Sequence, residues 1–92
     1  MTKELVFVTV IGEDQKGIIA KMSDSVYEKD INIEDISQKV IEGYFVMNML
    51  IDIKESTHDL NEIEKDLKKI GEEMNLQVEL KHEKIFKAMQ RV

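Results

Sequence analysis

Between Leu5 and Ile11 the chain is apolar on both of its alternating sets, with Leu5, Phe7 and Ile11 on one and Val6, Val8 and Val10 on the other. Successive side chains of an extended strand point to opposite faces, so this segment is expected to be an interior strand covered on both sides. The pattern recurs once. From Tyr44 to Ile53, the residues Phe45, Met47, Met49, Ile51 and Ile53 share one face while Val46 and Leu50 take the other, which predicts a second interior strand.

Helical and weaker strand signals fill the intervals. Gly12-Glu13-Asp14-Gln15-Lys16-Gly17 breaks the first strand, and Ile18, Ile19, Met22 and Val26 then recur at helical spacing. That helix is expected to run to about Lys29 and stop near Asp30, a residue type that tolerates the left-handed conformation. Ile33 to Ile41 is strand-like but polar at Asp35, Ser37, Gln38 and Lys39, which suits an edge strand, and Glu42-Gly43 is a tight-hairpin signal. Leu60, Ile63, Leu67, Ile70 and Met74 mark the clearest amphipathic helix, within Thr57 to Met74, with Thr57 the expected N-cap and Asp59 placing charge in the first turn. Gln77 to Lys81 alternates against Leu76, Val78 and Leu80 as a half-buried strand. A short amphipathic segment follows, with Ile85, Phe86 and Met89 expected on one side.

Strand, helix, strand, strand, helix, strand, with right-handed crossovers and a central hairpin, predicts an α+β, ferredoxin-like βαββαβ sandwich. Its antiparallel sheet has the order 4-1-3-2, which puts the two strands with apolar residues on both faces at the centre. Both helices of this fold cover the same sheet face. The second face then needs cover, either from the Ile85-Phe86-Met89 segment or from a partner subunit.

Size and charge narrow the functions. The 92 residues suffice for one domain, expected to span residues 1–92, with a thin core that oligomerisation would help to stabilise. No cysteine is present, so disulfides, thiolate zinc sites and thiol redox chemistry are excluded. The apolar run at residues 5–11 is too short for a signal peptide or a membrane span, and a cytoplasmic location with no membrane partner is expected. Thirteen basic against nineteen acidic residues, net charge −6, with the sole arginine at Arg91, provide no basic face for phosphates, so no nucleic-acid partner is expected.

Chemical motifs are sparse. Gly12 to Gly17 lacks the Lys-Ser/Thr of a phosphate loop, because Ile18 and Ile19 stand there. His58 and His82 lack metal-ligand spacing, and no metal site or cofactor is expected. The methionines fall on apolar stripes and read as core filling. Ser23, Ser25 and Ser37 have no histidine near in sequence, and no catalytic residues are expected.

Val10-Ile-Gly-Glu-Asp-Gln-Lys-Gly-Ile-Ile-Ala, followed by Asp30-Ile-Asn-Ile-Glu-Asp-Ile-Ser-Gln, resembles an ACT domain. The resemblance covers almost the whole chain through its element order, and its specific part is the Asp14-x-x-Gly17 turn with Ile31-Asn32-Ile33. It is strongest to stand-alone ACT proteins, which are similar to the ACT modules of the glycine-cleavage regulator and of formyltetrahydrofolate deformylase. The resemblance implies a regulatory domain that senses small molecules, often amino acids, and pairs side by side as a homodimer or higher oligomer. It implies a ligand between the first strand–helix loop and the second strand at the dimer interface. Carried onto this sequence, the ligand-binding residues are Gly12, Asp14, Gly17, Ile18, Ile19, Asn32 and Ile33. Some amino-acid-binding members carry histidine where Gly12 stands, so that side-chain contact is missing here.

The chemistry of these residue types fits an amino acid. Unpaired N–H groups after Gly17 can take a carboxylate, Asp14 can accept from an ammonium, and Asn32 can donate and accept. Simpler roles stand beside these. Asp14 can cap the turn into the helix, Gly17 can relieve crowding, and Asn32 can satisfy its own loop. A metabolite-binding regulatory domain is therefore set against a ligand-free module that controls an enzyme or transcription factor, with a small enzyme as the weakest reading. The regulated protein is not named by any motif.

Overall fold

The two strands with apolar residues on both faces lie side by side at the centre of one antiparallel sheet. The computed structural model describes residues 2–89. In chain order the elements are β1 (Leu5–Glu13), α1 (Ile18–Glu28), β2 (Asn32–Ile41), β3 (Tyr44–Asp52), α2 (Leu60–Met74), β4 (Leu76–His82) and α3 (Glu83–Met89). The sheet order is β2-β3-β1-β4, the ferredoxin-like arrangement expected from the element order. Glu13, Tyr44 and Ile41 sit at one end of the sheet, here the upper end, and Leu5, Asp52 and Asn32 at the lower end.

Register decides which apolar set is buried. Val6 pairs with Ile51 and His82, Val8 with Met49 and Leu80, and Val10 with Met47 and Val78. This set forms the core with Ile18, Met22 and Val26 of α1 and Ile63, Leu67 and Met74 of α2. Each such side chain contributes about 1.5–3 kcal/mol on burial.

Cover on both sides, expected for β1, holds for one side only. Phe7 is 40% and Ile11 44% exposed, because the helices take the even-numbered set and leave the other sheet face open. Phe86 of α3 packs edge-on against Phe7, with ring centroids 4.9 Å apart. Ile85, expected on the same covered side as Phe86, is instead exposed. The Met89 side chain, also expected there, and Arg91 lie outside the described residues.

Local chemistry sets the element ends. Glu42 and Gly43 both have positive φ (53° and 83°), the requirement of a two-residue hairpin turn whose twist matches the strands. Helix α1 ends at Glu28 with Lys29 as its C-cap, and Asp30 takes the left-handed conformation at φ 56°. Helix α2 starts later than expected. Asp59, not Thr57, is its N-cap: the Asp59 carboxylate accepts from the Glu62 N–H at 2.9 Å, and the Glu62 carboxylate accepts from the Asp59 N–H at 3.0 Å. This reciprocal box satisfies two end donors at once. Thr57 is held elsewhere, its N–H donating to the Lys29 carbonyl at 3.1 Å, where the Ser56 hydroxyl also donates at 2.8 Å.

Lys29 therefore clamps the lower end of the helical layer. Its buried ammonium donates to the Ser25 carbonyl (3.2 Å) and hydroxyl (2.8 Å) and pairs with Asp66 of α2 at 3.0 Å. Three donors meet three acceptors, so the charge is buried without an orphan. The Asp66 carboxyl is held below its ordinary range by that hydrogen bond to Lys29.

Two results are expected. A Cβ on Gly71 would lie 2.6 Å from Val78 Cγ2 and 2.9 Å from the Leu76 carbonyl oxygen, where α2 presses on β4. Gly71→Ala should cost about 1–3 kcal/mol, and each kilocalorie lowers Tm by roughly 4–8 °C in a domain this small. An unchanged melt would show that α2 is not held so close. The second concerns acid. The Asp52 carboxylate accepts from the Glu4 and Lys54 N–H groups, each at 3.0 Å, and these bonds lower its pKa. A depressed folded-state pKa contributes stability above the unfolded value and loses it as pH falls through the folded one. Denaturant titrations should therefore show Asp52→Asn with a flatter loss of stability below about pH 4 than the parent. Parallel curves would remove Asp52 from the acid response.

Candidate functional site

The Asp14–Gly17 turn leaves the upper end of β1 and crosses to the helical side. It is pinned at two points. The Asp14 N–H donates to the Gly43 carbonyl of the hairpin at 3.1 Å, and the Gln15 side-chain amide donates to the Met74 carbonyl at 2.7 Å. Gly17 sits at φ 87°, a left-handed conformation that a side chain resists, and open space surrounds the position a Cβ would take. Relief of crowding is thus not the role of Gly17; its backbone angle is.

Among the described residues, no side chain caps α1. The first helical bond runs from the Lys21 N–H to the Gly17 carbonyl at 3.0 Å, so the N–H groups of Ile18, Ile19 and Ala20 precede the ladder. Capping by Asp14, one of the simpler roles, does not occur, and the Asp14 side chain is exposed. Ile18 is buried, and Ile19 packs partly against the core. Their side chains hold the helix to the sheet, which leaves their main-chain N–H groups as the chemistry on offer. Helix N-terminal N–H groups with the dipole behind them attract an anion.

Gly12 has a packing role in the sheet. Its missing Cβ would lie 2.5 Å from Leu76 Cδ2 and 3.1 Å from the Asn75 carbonyl oxygen. Glycine at this position admits the start of β4 against β1. A larger residue there would push β4 away.

Asn32 and Ile33 start β2 at the lower end of the sheet, paired with Asp52 and Ile51. The Asn32 amide donates to Glu34 at 2.6 Å, so its bond goes to a side chain and not to its own loop backbone. Hydrogen bonds from Lys3 first and Asn32 second hold the Glu34 carboxyl below its ordinary range. Ile33 is half-buried. A shallow hollow of about 440 Å³ adjoins Asn32, lined also by Tyr27, Asp30, Ile31 and Glu55. Tyr27 is 80% exposed there, although its place in α1 gave no signal in the sequence.

The expected site residues thus fall into two groups. Gly12, Asp14, Gly17, Ile18 and Ile19 gather at the upper end. Asn32 and Ile33 lie at the lower end, roughly 25 Å away along the eight residue steps from Glu13 to Leu5. One chain does not bring the two groups together.

Among the described residues, no group of three or more His, Cys, Asp or Glu side chains could hold a metal ion. None of the described helices is long and apolar enough to cross a membrane.

Comparisons with known proteins place this geometry in a family. The profile of the ACT domain matches residues 4–81. A UPF0237 protein of Methanocaldococcus jannaschii is 45% identical over 87 residues, covering 95% of this chain and 97% of its own. Among solved structures, an ACT domain protein from Streptococcus pneumoniae aligns with a TM-score of 0.80 at 28% identity, over 92% of this chain and 96% of that one. A formyltetrahydrofolate deformylase from Pseudomonas syringae shares the fold, with a TM-score of 0.81 at 20% identity over 89% of this chain but only 28% of its own. The strand order, the turn through Gly17 and these likenesses agree, and the chain belongs to the ACT-domain family of regulatory modules.

Proposed function

We propose that this chain is a stand-alone, non-catalytic regulatory domain that binds an amino acid or similar small metabolite between two copies of itself. One observation carries the reading. The two groups of expected site residues lie at opposite ends of a sheet whose β2 edge, Asn32–Ile41, faces no other strand among the described residues. Strand β2 is exposed along nearly its whole length, and an edge of ten residues is a ready surface for pairing. Antiparallel pairing of β2 with its copy across a two-fold axis runs the second chain the other way. Asn32 of the second copy then reaches the upper end of the first, the end that carries the Gly17 turn.

The ligand chemistry follows from the two ends. The carboxylate meets the N–H groups of Ile18 and Ile19, and the ammonium meets Asp14 and Asn32 of the second copy. Charge-assisted bonds contribute about 1.5–3 kcal/mol each, and three of them less ordering costs reach micromolar affinity, about −8 kcal/mol. Ligand that binds the paired state better than the open one would bias how the pair meets a regulated protein, because only differential binding shifts an equilibrium. The cytoplasm is the setting where free amino acids and such a partner would be met.

The rival is a ligand-free interaction module. The exposure of Asp14 and Asn32, and the open shape of the hollow beside Asn32, favour it.

Two measurements separate the readings. In a thermal-shift panel of the twenty amino acids, a binder at about 100 times its Kd should add roughly 2.7 kcal/mol, a rise of several degrees or more. Asp14→Ala and Asn32→Ala should each abolish that rise while leaving the unliganded melt nearly unchanged. A panel with no shift at all favours the interaction module, and a shift that survives both substitutions removes these residues from the site. Pairing through β2 is tested by cysteine, because the chain has none of its own. Of the single substitutions Ile36→Cys, Ser37→Cys and Gln38→Cys near the middle of the strand, the one nearest the two-fold axis should yield a disulfide-linked dimer under mild oxidation. Cysteines along β2 that stay monomeric while a surface control behaves alike would sink the edge pairing.

A further inference from the structure

The hollow beside Asn32 has a lining that the proposed function leaves largely unused. It is bounded by Tyr27 at the end of α1, by Asp30, Ile31 and Asn32 leading into β2, and by Glu55 after β3. Ile31 is buried and forms an apolar wall. The polar groups around it are mostly acceptors. Asp30 and Glu55 are exposed, and among the described residues no ion pair uses either carboxylate. Asn32 spends its amide donor on Glu34 at 2.6 Å, which leaves its oxygen to the hollow. Tyr27, exposed to 80%, packs little against its own chain and offers the face of its ring.

We propose that this hollow receives a cationic side chain of the ligand, so that the amino acid held between two copies is a basic one of the arginine or lysine class. The inference rests on the β2-paired reading above and names its ligand. Helix α1 lies over the β2 side of the sheet and α2 over the β4 side. Lys21, Asp24 and Glu28 line the groove toward α2, whereas Tyr27 shares its hollow with Asn32 and so lies on the flank of α1 toward β2. Antiparallel pairing of β2 puts the two-fold axis normal to the sheet, which keeps both helical layers on one side and sets the two α1 helices antiparallel. Tyr27, Asp30 and Glu55 of the second copy then arrive with its Asn32 at the Gly17 end of the first.

Charge decides the class. The first copy brings Asp14 and Lys16 to its turn, which cancel, whereas the second brings Asp30 and Glu55. Two negative charges are left over, beside further acceptors. A guanidinium carries five N–H donors and an ammonium three, with no acceptor in either, so both match the lining. A cation over the Tyr27 ring gains from the ring quadrupole as well. An acidic side chain would meet two like charges, and an aliphatic one would shield Asp30 and Glu55 from water without answering them. These groups stay close to solvent, so each contributes modestly, and together they amount to a preference of about tenfold.

Isothermal titration of the whole chain with L-arginine, L-lysine, citrulline and norleucine tests this, because citrulline and norleucine keep nearly the shapes of arginine and lysine without the charge. Arginine or lysine should bind about tenfold more tightly than its uncharged counterpart, and the gap should narrow in about 0.5 M salt. Asp30→Asn and Glu55→Gln should each narrow it too while leaving affinity for the uncharged counterpart as it was, a result that damage to the fold would not give. Asparagine also keeps the left-handed backbone at residue 30. Equal affinity within each pair overturns the proposal and leaves the amino-acid site standing, with Asp30 and Glu55 answered by Lys16 of the first copy. A preference for cations that survives the two substitutions combined overturns their placing in this hollow. Cation selectivity that Asp14→Ala leaves intact upholds the hollow and discards the contribution of the first copy. A panel in which no amino acid binds overturns the ligand reading itself, and this inference with it.

Discussion

Every element answers to the register of β1 between β3 and β4. That register sends Val6, Val8 and Val10 to the same side as Met47, Met49 and Ile51, and onto this side both long helices fold. Side chains alternate with a period of two residues, so a slip of one position would exchange this set for Phe7, Thr9 and Ile11. The core would then hold a hydroxyl and lose its aliphatic match to α1 and α2. Because the helices are spent on one face, the other has, among the described residues, an aromatic corner at Phe86 and little else.

Close approach and polar satisfaction hold the helical layer in place. Gly71 and Gly12 admit Val78 and Leu76 at distances no Cβ allows, which draws α2 and β4 tight against the centre. Lys29 does the corresponding work at the lower end with hydrogen bonds. Its ammonium joins α1 to α2, and its carbonyl fixes Ser56 and Thr57 ahead of α2. One residue therefore links three segments far apart in sequence, which explains why a lysine is tolerated in a buried position.

The same packing keeps the two groups of expected site residues apart. A strand of nine residues separates the N–H groups behind Gly17 from Asn32, and no side-chain motion spans that distance. A ligand that needs both would report on assembly, since it stabilises only the form in which two copies supply the two ends. Under the proposed function, regulation by association would need no moving hinge, only an edge left unpaired.

Much was legible in the chain itself. Residue alternation located both central strands, Glu42-Gly43 located the hairpin, and the helical spacing of Ile63, Leu67 and Met74 located the longest helix, because these are local periodicities and local backbone requirements. The Asp14-x-x-Gly17 and Asn32-Ile33 signatures likewise identified the family from sequence. Tertiary structure decided what depends on neighbours. Which apolar set of β1 is buried was settled by where the helices sit, and Thr9 is the single polar residue that distinguishes the exposed set in sequence. The start of α2 at Asp59 was settled by the pull of the Lys29 carbonyl on Thr57, and the role of Gly12 by the approach of Leu76. The distance between the Gly17 turn and Asn32 was settled by strand direction. Sequence carries periodicity and motif, whereas faces, ends and distances arise only when strands from remote parts of the chain are set side by side.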